Sequence, residues 1–323
     1  MNKITPNISR AGDSWDTYWQ GTGDIGAFTN GGVSHPAIRA FWTEFFNSVT
    51  QTYIHPKVLD IASGNGAVVD CALEAFKDIP NEITSLDVSE AAIKNIHTRF
   101  PNVRGIVSDA CSIPAQAGSF DIVTSQYGVE YAGQEAILEA ARLVSDNGVL
   151  VLLMHCDSGF IHQECKQSLD AVKRAQTSKF IPLAINMFDA GFKSIGGADR
   201  GRYEQAGKEL APAIAELESI MKQYGSDVAG DTISRLYNDV GQIHQRMQHY
   251  DVNDVLTWLN RTSEELNAYI KRMSSMSKSA VSTLQFDQIK DDLIAKGFSL
   301  ETADKLFAPN NQLPMAWVLI AKK

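Results

Sequence analysis

Basic residues are in short supply: 29 lysines and arginines face 38 aspartates and glutamates, leaving a net charge of −9. So acidic a chain is poorly suited to gripping phosphate backbones, which excludes nucleic acid as the first-choice partner. Long apolar runs are missing as well: no stretch approaches the roughly 18 residues needed to span a bilayer. The opening MNKITPNISR has no apolar signal core, and the expected setting is cytoplasmic. Cysteine is scarce. Cys71, Cys111, Cys156 and Cys165 are too few and too scattered for a disulfide framework in 323 residues. His155, Cys156, His162 and Cys165 lie near one another in sequence, but without a C-x-x-C pair. His155 and Cys156 fall on opposite sides of a strand end, so packing rather than a metal site is expected.

Apolar residues make up 44% of the chain, ample for a buried core, and the length allows one large domain with an insertion or two smaller ones. The most informative stretch is KVLDIASGNGAVVD, residues 57–70. Val58, Leu59 and Ile61 predict a strand, Ser63 to Gly66 a tight turn, and Ala67 onward a helix. Small residues in such a turn let backbone N–H groups and the helix N-terminus approach a ligand closely. At this turn the spacing is neither G-x-G-x-x-G nor a glycine-rich loop closed by Lys and Ser or Thr, the two signatures of phosphate-bearing nucleotides.

Strand and helix patterns then alternate, as a parallel sheet requires. Strands are expected at Glu82–Val88, Val103–Val107, Ser119–Ser125 and Val149–Met154, with Ser89 capping a helix to Phe100 and another helix over Glu135–Ser145. Asp87 closes the second strand some 20 residues beyond the glycines, where a carboxylate can accept from two ribose hydroxyls. Gln126 to Tyr131 emerge beyond the fourth strand, beside the expected reversal of strand order where open α/β sheets hold ligands.

Asp60-x-Ala62-x-Gly64-x-Gly66 resembles the first motif of the class I, Rossmann-like methyltransferases, with Ala62 in place of a glycine. SFDIVTS at 119–125 resembles that family's FD-x-V segment. The resemblance covers about 57–157 and 286–321. It implies an α/β fold: a Rossmann-like seven-stranded methyltransferase sheet, closed by antiparallel strands at Phe298–Leu306 and Met315–Ala321, with a large helical insertion after the fifth strand. It also implies S-adenosylmethionine as cofactor and S-adenosylhomocysteine as product. The residues so implicated are Asp60, Ala62, Ser63, Gly64 and Gly66 at the turn, and Asp87 with Val88 at the ribose. Asp109 and Ala110 fall at the adenine, and Gln126 on the cofactor side.

Around this core, residues 1–50 are expected to form a helical cap, which the resemblance makes a lid over the cofactor. Tyr18 can set a ring near a sulfonium, whereas Trp15, Trp42, Phe45 and Phe46 read as core packing. The cofactor core is assigned to 51–157 and 285–323. Residues 158–284 read as a helical insertion, a substrate lid or a homodimer interface, with helices at Gly159–Ser178, Glu204–Gln223, Val228–His249 and Val252–Met273. The segment GFKSIGGADRG at 191–201 reads as a turn-rich break.

For chemistry, His155 is a candidate base or a structural histidine, Glu130 a base, amine-orienting group or helix-start carboxylate, and Tyr127 part of the substrate wall. The segment after strand four, SQYG, lacks the N-P-P-Y or D-P-P-Y of amino-directed nucleic-acid enzymes, and no Pro-Cys nucleophile is present. The expected activity is methyl transfer to a small-molecule O or N nucleophile. A protein acceptor, or a non-catalytic cofactor-binding interaction protein, stands as the alternative.

Overall fold

A computed structural model describes residues 15, 16, 18, 19, 35–309 and 311–323. Its chain divides into two compact units, 1–163 with 275–323, and 164–274. Most of the cap expected before residue 35 lies outside the described residues.

The first unit is built on one sheet. Helix α1 (Pro36–Val49) leads into β1 (Lys57–Ile61), α2 (Ala67–Ala75), β2 (Glu82–Asp87), α3 (Glu90–Arg99), β3 (Arg104–Val107) and β4 (Phe120–Gln126). A single 3-10 turn (Val129–Ala132), α4 (Gln134–Leu143) and β5 (Val144–His155) follow. After the excursion through the second unit come α10 (Thr283–Ala295), β6 (Ser299–Phe307) and β7 (Pro314–Lys322). The strand order is β3-β2-β1-β4-β5-β7-β6. β1 pairs parallel with β2 on one side and β4 on the other, so strand order reverses between β1 and β4. β7 runs antiparallel to both β5 and β6. This is the expected seven-stranded mixed α/β sheet.

The strands hold together because both faces are covered. Leu59, Ile61, Val123, Leu150 and Leu152 are fully buried in one apolar cluster beneath α4 and α10. Burying each such side chain contributes about 1.5–3 kcal/mol. Strand β5 begins five residues earlier than expected, at Val144. The turn residues Asp146–Asn147–Gly148 are carried within the strand, with Asn147 in the left-handed region (φ 67°). Helix α10 likewise starts before its first large apolar residue, because Ser282 and Gln285 make a reciprocal capping box.

The second unit consists of helices around their own apolar cluster, including Phe180, Phe188, Leu217, Ile233 and Leu259. Its helices are α5 (Phe160–Thr177, begun in the first unit), α6 (Phe180–Ile195), α7 (Arg200–Tyr224), α8 (Thr232–Gln245) and α9 (Val252–Ser279). Helix α6 is a correction to the sequence reading, which placed a break from Gly191. Gly191 lies inside the helix. A methyl group there would meet the Met247 sulfur at 2.8 Å, so the glycine serves close packing rather than chain reversal. The Ser- and Met-rich stretch after Lys271 is likewise helical up to Ser279. Among the described residues no helix is long and apolar enough to cross a membrane.

Candidate functional site

The carboxyl ends of β1, β2, β3 and β4 open onto one cavity of about 400 Å³. Its floor is the turn after β1. Ala62 (φ 55°), Gly64 (φ 52°) and Gly66 (φ 84°) all adopt left-handed backbone, which reverses the chain within five residues. Alanine tolerates this at a cost of about 1–2 kcal/mol. It also has room for its methyl only because residue 128 is glycine: a Cβ there would stand 2.3 Å from the Ala62 Cβ. The Ser63 N–H and hydroxyl both donate to the Leu86 carbonyl at 3.1 Å, tying the turn to β2.

Asp87 fixes the next wall. Its carboxylate accepts from Gly64 N–H and Ser89 N–H, each at 2.9 Å, so one side chain holds the glycine turn and the start of α3 together. Burial pushes its carboxyl up to about 6, against those two N–H groups, with Asp16 adding to the rise. Asp60, 1% exposed, accepts from Thr124 Oγ1 at 2.9 Å through Oδ1, whereas Oδ2 has no partner. Desolvation pushes its carboxyl up to about 8. Asp109 caps its own turn, accepting from Cys111 N–H at 2.8 Å.

Three aspartates therefore line the cavity, and among the described residues no lysine, arginine or histidine does. The remaining wall is aromatic and small: Trp15, Trp19, Tyr127 and Tyr131 with Ala62, Gly64, Ala110 and Gly128. Gln126 is held in place by the Trp42 indole N–H, which donates to its Oε1.

Most residues expected at the cofactor come together here: Asp60, Ala62, Ser63, Gly64, Asp87, Val88, Asp109, Ala110 and Gln126 all line the cavity. Gly66 and Tyr18 do not. Gly66 gives the turn its shape and lets Phe100 pack close, since a Cβ would meet that ring at 2.8 Å. Tyr18 stands edge-on to Trp19 (centroids 4.8 Å apart), and the two rings on the cavity are Trp15 and Trp19. Tyr18 and Trp19 lie three and four residues beyond Trp15, both same-face spacings, so spacing alone does not tell which of these rings lines the cavity.

Of the three residues considered for chemistry, only Tyr127 reaches the cavity. Its hydroxyl donates to the Met315 carbonyl at 3.2 Å, and burial raises its pKa, so it stays a protonated phenol and offers no phenolate to act as a base. His155 and Glu130 lie behind the wall. His155 is 2% exposed and stacks on Tyr127 (centroids 4.5 Å apart); burial lowers its imidazole to about 3, keeping it neutral. Its Nε2 is 2.9 Å from the Tyr131 hydroxyl, and Tyr131 does face the cavity. Glu130 accepts from the His155 backbone N–H at 2.9 Å, with its carboxyl raised by burial to about 7. It thereby braces the single 3-10 turn against the end of β5.

Residues 58–148 match the family described as "Methyltransferase domain". Over 103 residues the chain is 34% identical to a ubiquinone/menaquinone biosynthesis C-methyltransferase of Campylobacter jejuni, covering 30% of this chain and 43% of that protein. Over 128 residues it is 27% identical to a malonyl-[acyl-carrier protein] O-methyltransferase of Salmonella typhimurium, covering 39% and 49%. It is also similar to the crystal structure of a SAM-dependent methyltransferase from Aquifex aeolicus, at 14% identity and a TM-score of 0.31, covering 36% of this chain and 64% of that one. The chain spans less than half the length of the two curated relatives. Fold, motif and family match together make residues 58–148 a class I, Rossmann-like methyltransferase domain, whose cofactor is S-adenosylmethionine.

The residues present fit that cofactor. Its amino acid end carries an ammonium, and the buried, unpartnered Asp60 Oδ2 on the cavity wall is a group that would take one. The Asp87 carboxylate retains acceptor capacity beyond its two backbone partners, suited to ribose hydroxyls.

Proposed function

We propose that the protein is an S-adenosylmethionine-dependent methyltransferase acting on a small-molecule O or N nucleophile. The observation that carries this reading is the acidic lining of the cavity at the reversal point of the sheet: Asp87 and Asp109, with Asp60 protonated until a cation meets it, and no basic side chain among the described residues. Such a lining repels phosphate-bearing nucleotides and suits an adenosyl ligand that is itself cationic. When bound, the cofactor supplies an activated methyl group already joined to a good leaving group. What remains for this chain is to hold donor and acceptor aligned and to keep water out, which alone lowers the barrier substantially.

Asp60, Asp87 and Asp109 would hold the three polar parts of the cofactor, and the Gly64 turn would give the backbone close approach. Tyr127, Gly128 and Tyr131 would face the acceptor. The wall's three carboxylates would be engaged by the cofactor, no imidazole or amine lines the cavity among the described residues, and the neutral His155 stands behind Tyr127 and Tyr131. This favours acceptors whose acidity rises as they take the methyl group, so that a strong base is unnecessary.

The test uses methyl-labelled S-adenosylmethionine with a metabolite extract and, separately, a protein extract. Label in a small product supports the reading, and a labelled carbon rather than oxygen or nitrogen would revise the acceptor atom. Label in polypeptide would replace it with a protein acceptor. Cofactor binding with no label in either would replace it with a non-catalytic binding role.

A further inference from the structure

Trp15 and Tyr131 come from segments more than a hundred residues apart, yet their rings meet on the cavity wall in a T-shaped pair, centroids 5.7 Å apart at 86°. Trp19 stands beside them, so close over Gly64 that a Cβ on that glycine would lie 2.6 Å from the indole. The rings are held there by polar contacts to the start of α3. Asp16 accepts from the Ser89 hydroxyl and from Ala91 N–H at 3.2 Å, and Asn95 Nδ2 donates to the Trp19 carbonyl at 2.8 Å. Aromatic faces carry negative quadrupolar charge, with indole the strongest. Among the described residues of the wall, no basic side chain stands by to neutralise that charge.

We propose that Trp15 and Tyr131 are specificity residues that favour the sulfonium form of the cofactor over its neutral, demethylated product. The inference rests on the S-adenosylmethionine reading and deepens it. Both forms keep the ammonium, ribose and adenine, so the interactions of Asp60, Asp87 and Asp109 cancel between them. The two differ only at the sulfur, by its positive charge and the methyl group it bears, and the rings answer to the charge. The consequence is a site that holds donor and lets spent product go. A desolvated cation over such rings contributes on the order of 10-fold in binding.

Calorimetric titration of the full chain with S-adenosylmethionine and, separately, S-adenosylhomocysteine gives the ratio of the two dissociation constants. In Trp15→Leu and Tyr131→Leu the preference for S-adenosylmethionine is expected to fall by about 10-fold, whereas Trp15→Phe and Tyr131→Phe, which keep a ring, retain most of it. Asp16→Asn, which alters no ring on the wall, should lower the preference part of the way. That variant decides the matter if a leucine variant fails to fold by its melting profile. Equal weakening of both ligands, or no change in the ratio, overturns the proposal and leaves the rings as a cover. Failure of the unaltered protein to bind either ligand would instead overturn the reading of the site.

Discussion

The two units of this chain bury very different things. Almost all the described buried polar side chains, Asp60, Ser63, Asp87, Thr124, Glu130 and His155 among them, belong to the sheet unit; in the helical unit only Ser168 is of that kind. The helical unit keeps most of its charges on the surface, in pairs such as Lys193–Asp189 and Arg261–Glu265 one helical turn apart, which contribute little to stability; Glu164, with Oε2 buried and unpartnered, is an exception. A buried polar group costs free energy unless it is paired, so its concentration in one unit marks where stability has been sacrificed to chemistry. The helical unit is held by apolar packing; the sheet unit carries the cavity.

Substitutions that separate the two roles follow, largest effect first. Asp87→Asn removes the charge expected to meet the ribose while preserving the residue's size, and should weaken cofactor binding by about 100-fold in calorimetry. Leu217→Ala, at a fully buried position of the helical unit, should cost about 2–5 kcal/mol in denaturant unfolding. Cofactor affinity should stay unchanged, and a large loss there would erase the distinction between the units.

Gly64→Ala should lower the stability of the sheet unit by about 1–2 kcal/mol from its left-handed backbone alone. It should weaken the cofactor too, because the new methyl group and the Trp19 ring cannot both keep their places. Thermal melting and titration read the two effects separately.

Asp60→Asn sharpens the comparison through pH. In the free protein the Asp60 carboxyl, raised by burial to about 8, holds its proton at neutral pH. The folded state therefore binds more protons than the unfolded chain between about pH 4 and 8, and this group's contribution to stability falls as pH rises through that window. Asp60→Asn should raise the melting temperature of the free protein at pH 8 and leave it nearly unchanged at pH 4. Ligand ammonium favours the carboxylate, so cofactor binding at pH 7 should release a proton from the unaltered protein. Titration in buffers of different ionisation enthalpy measures that release, and the asparagine variant should lose it.

The sheet unit was legible because its signals are local. Aspartate at a strand end followed by small residues has few uses, and Asp60, Asp87 and Asp109 recur at successive strand ends in the order the fold requires. What the sequence hid depends on contacts between distant segments. Gly191 looks like a helix breaker until Met247 is seen against it. His155 ends a strand at the ligand edge, as expected, yet stacking on Tyr127 and the Tyr131 hydroxyl place it one layer back. Trp15, Tyr18 and Trp19 crowd one short segment with their rings in mutual contact, and only docking on α3 decides which of them meet the cavity.

The account depends most on the cavity, acidic and without a lysine, arginine or histidine among its described residues, selecting an adenosyl cation, and competition binding tests that directly. With labelled S-adenosylmethionine held by the unaltered protein, the expected result is displacement by S-adenosylhomocysteine and none by ATP or NAD at equal concentration. Displacement by either phosphate-bearing nucleotide, or no retention of S-adenosylmethionine at all, would contradict it.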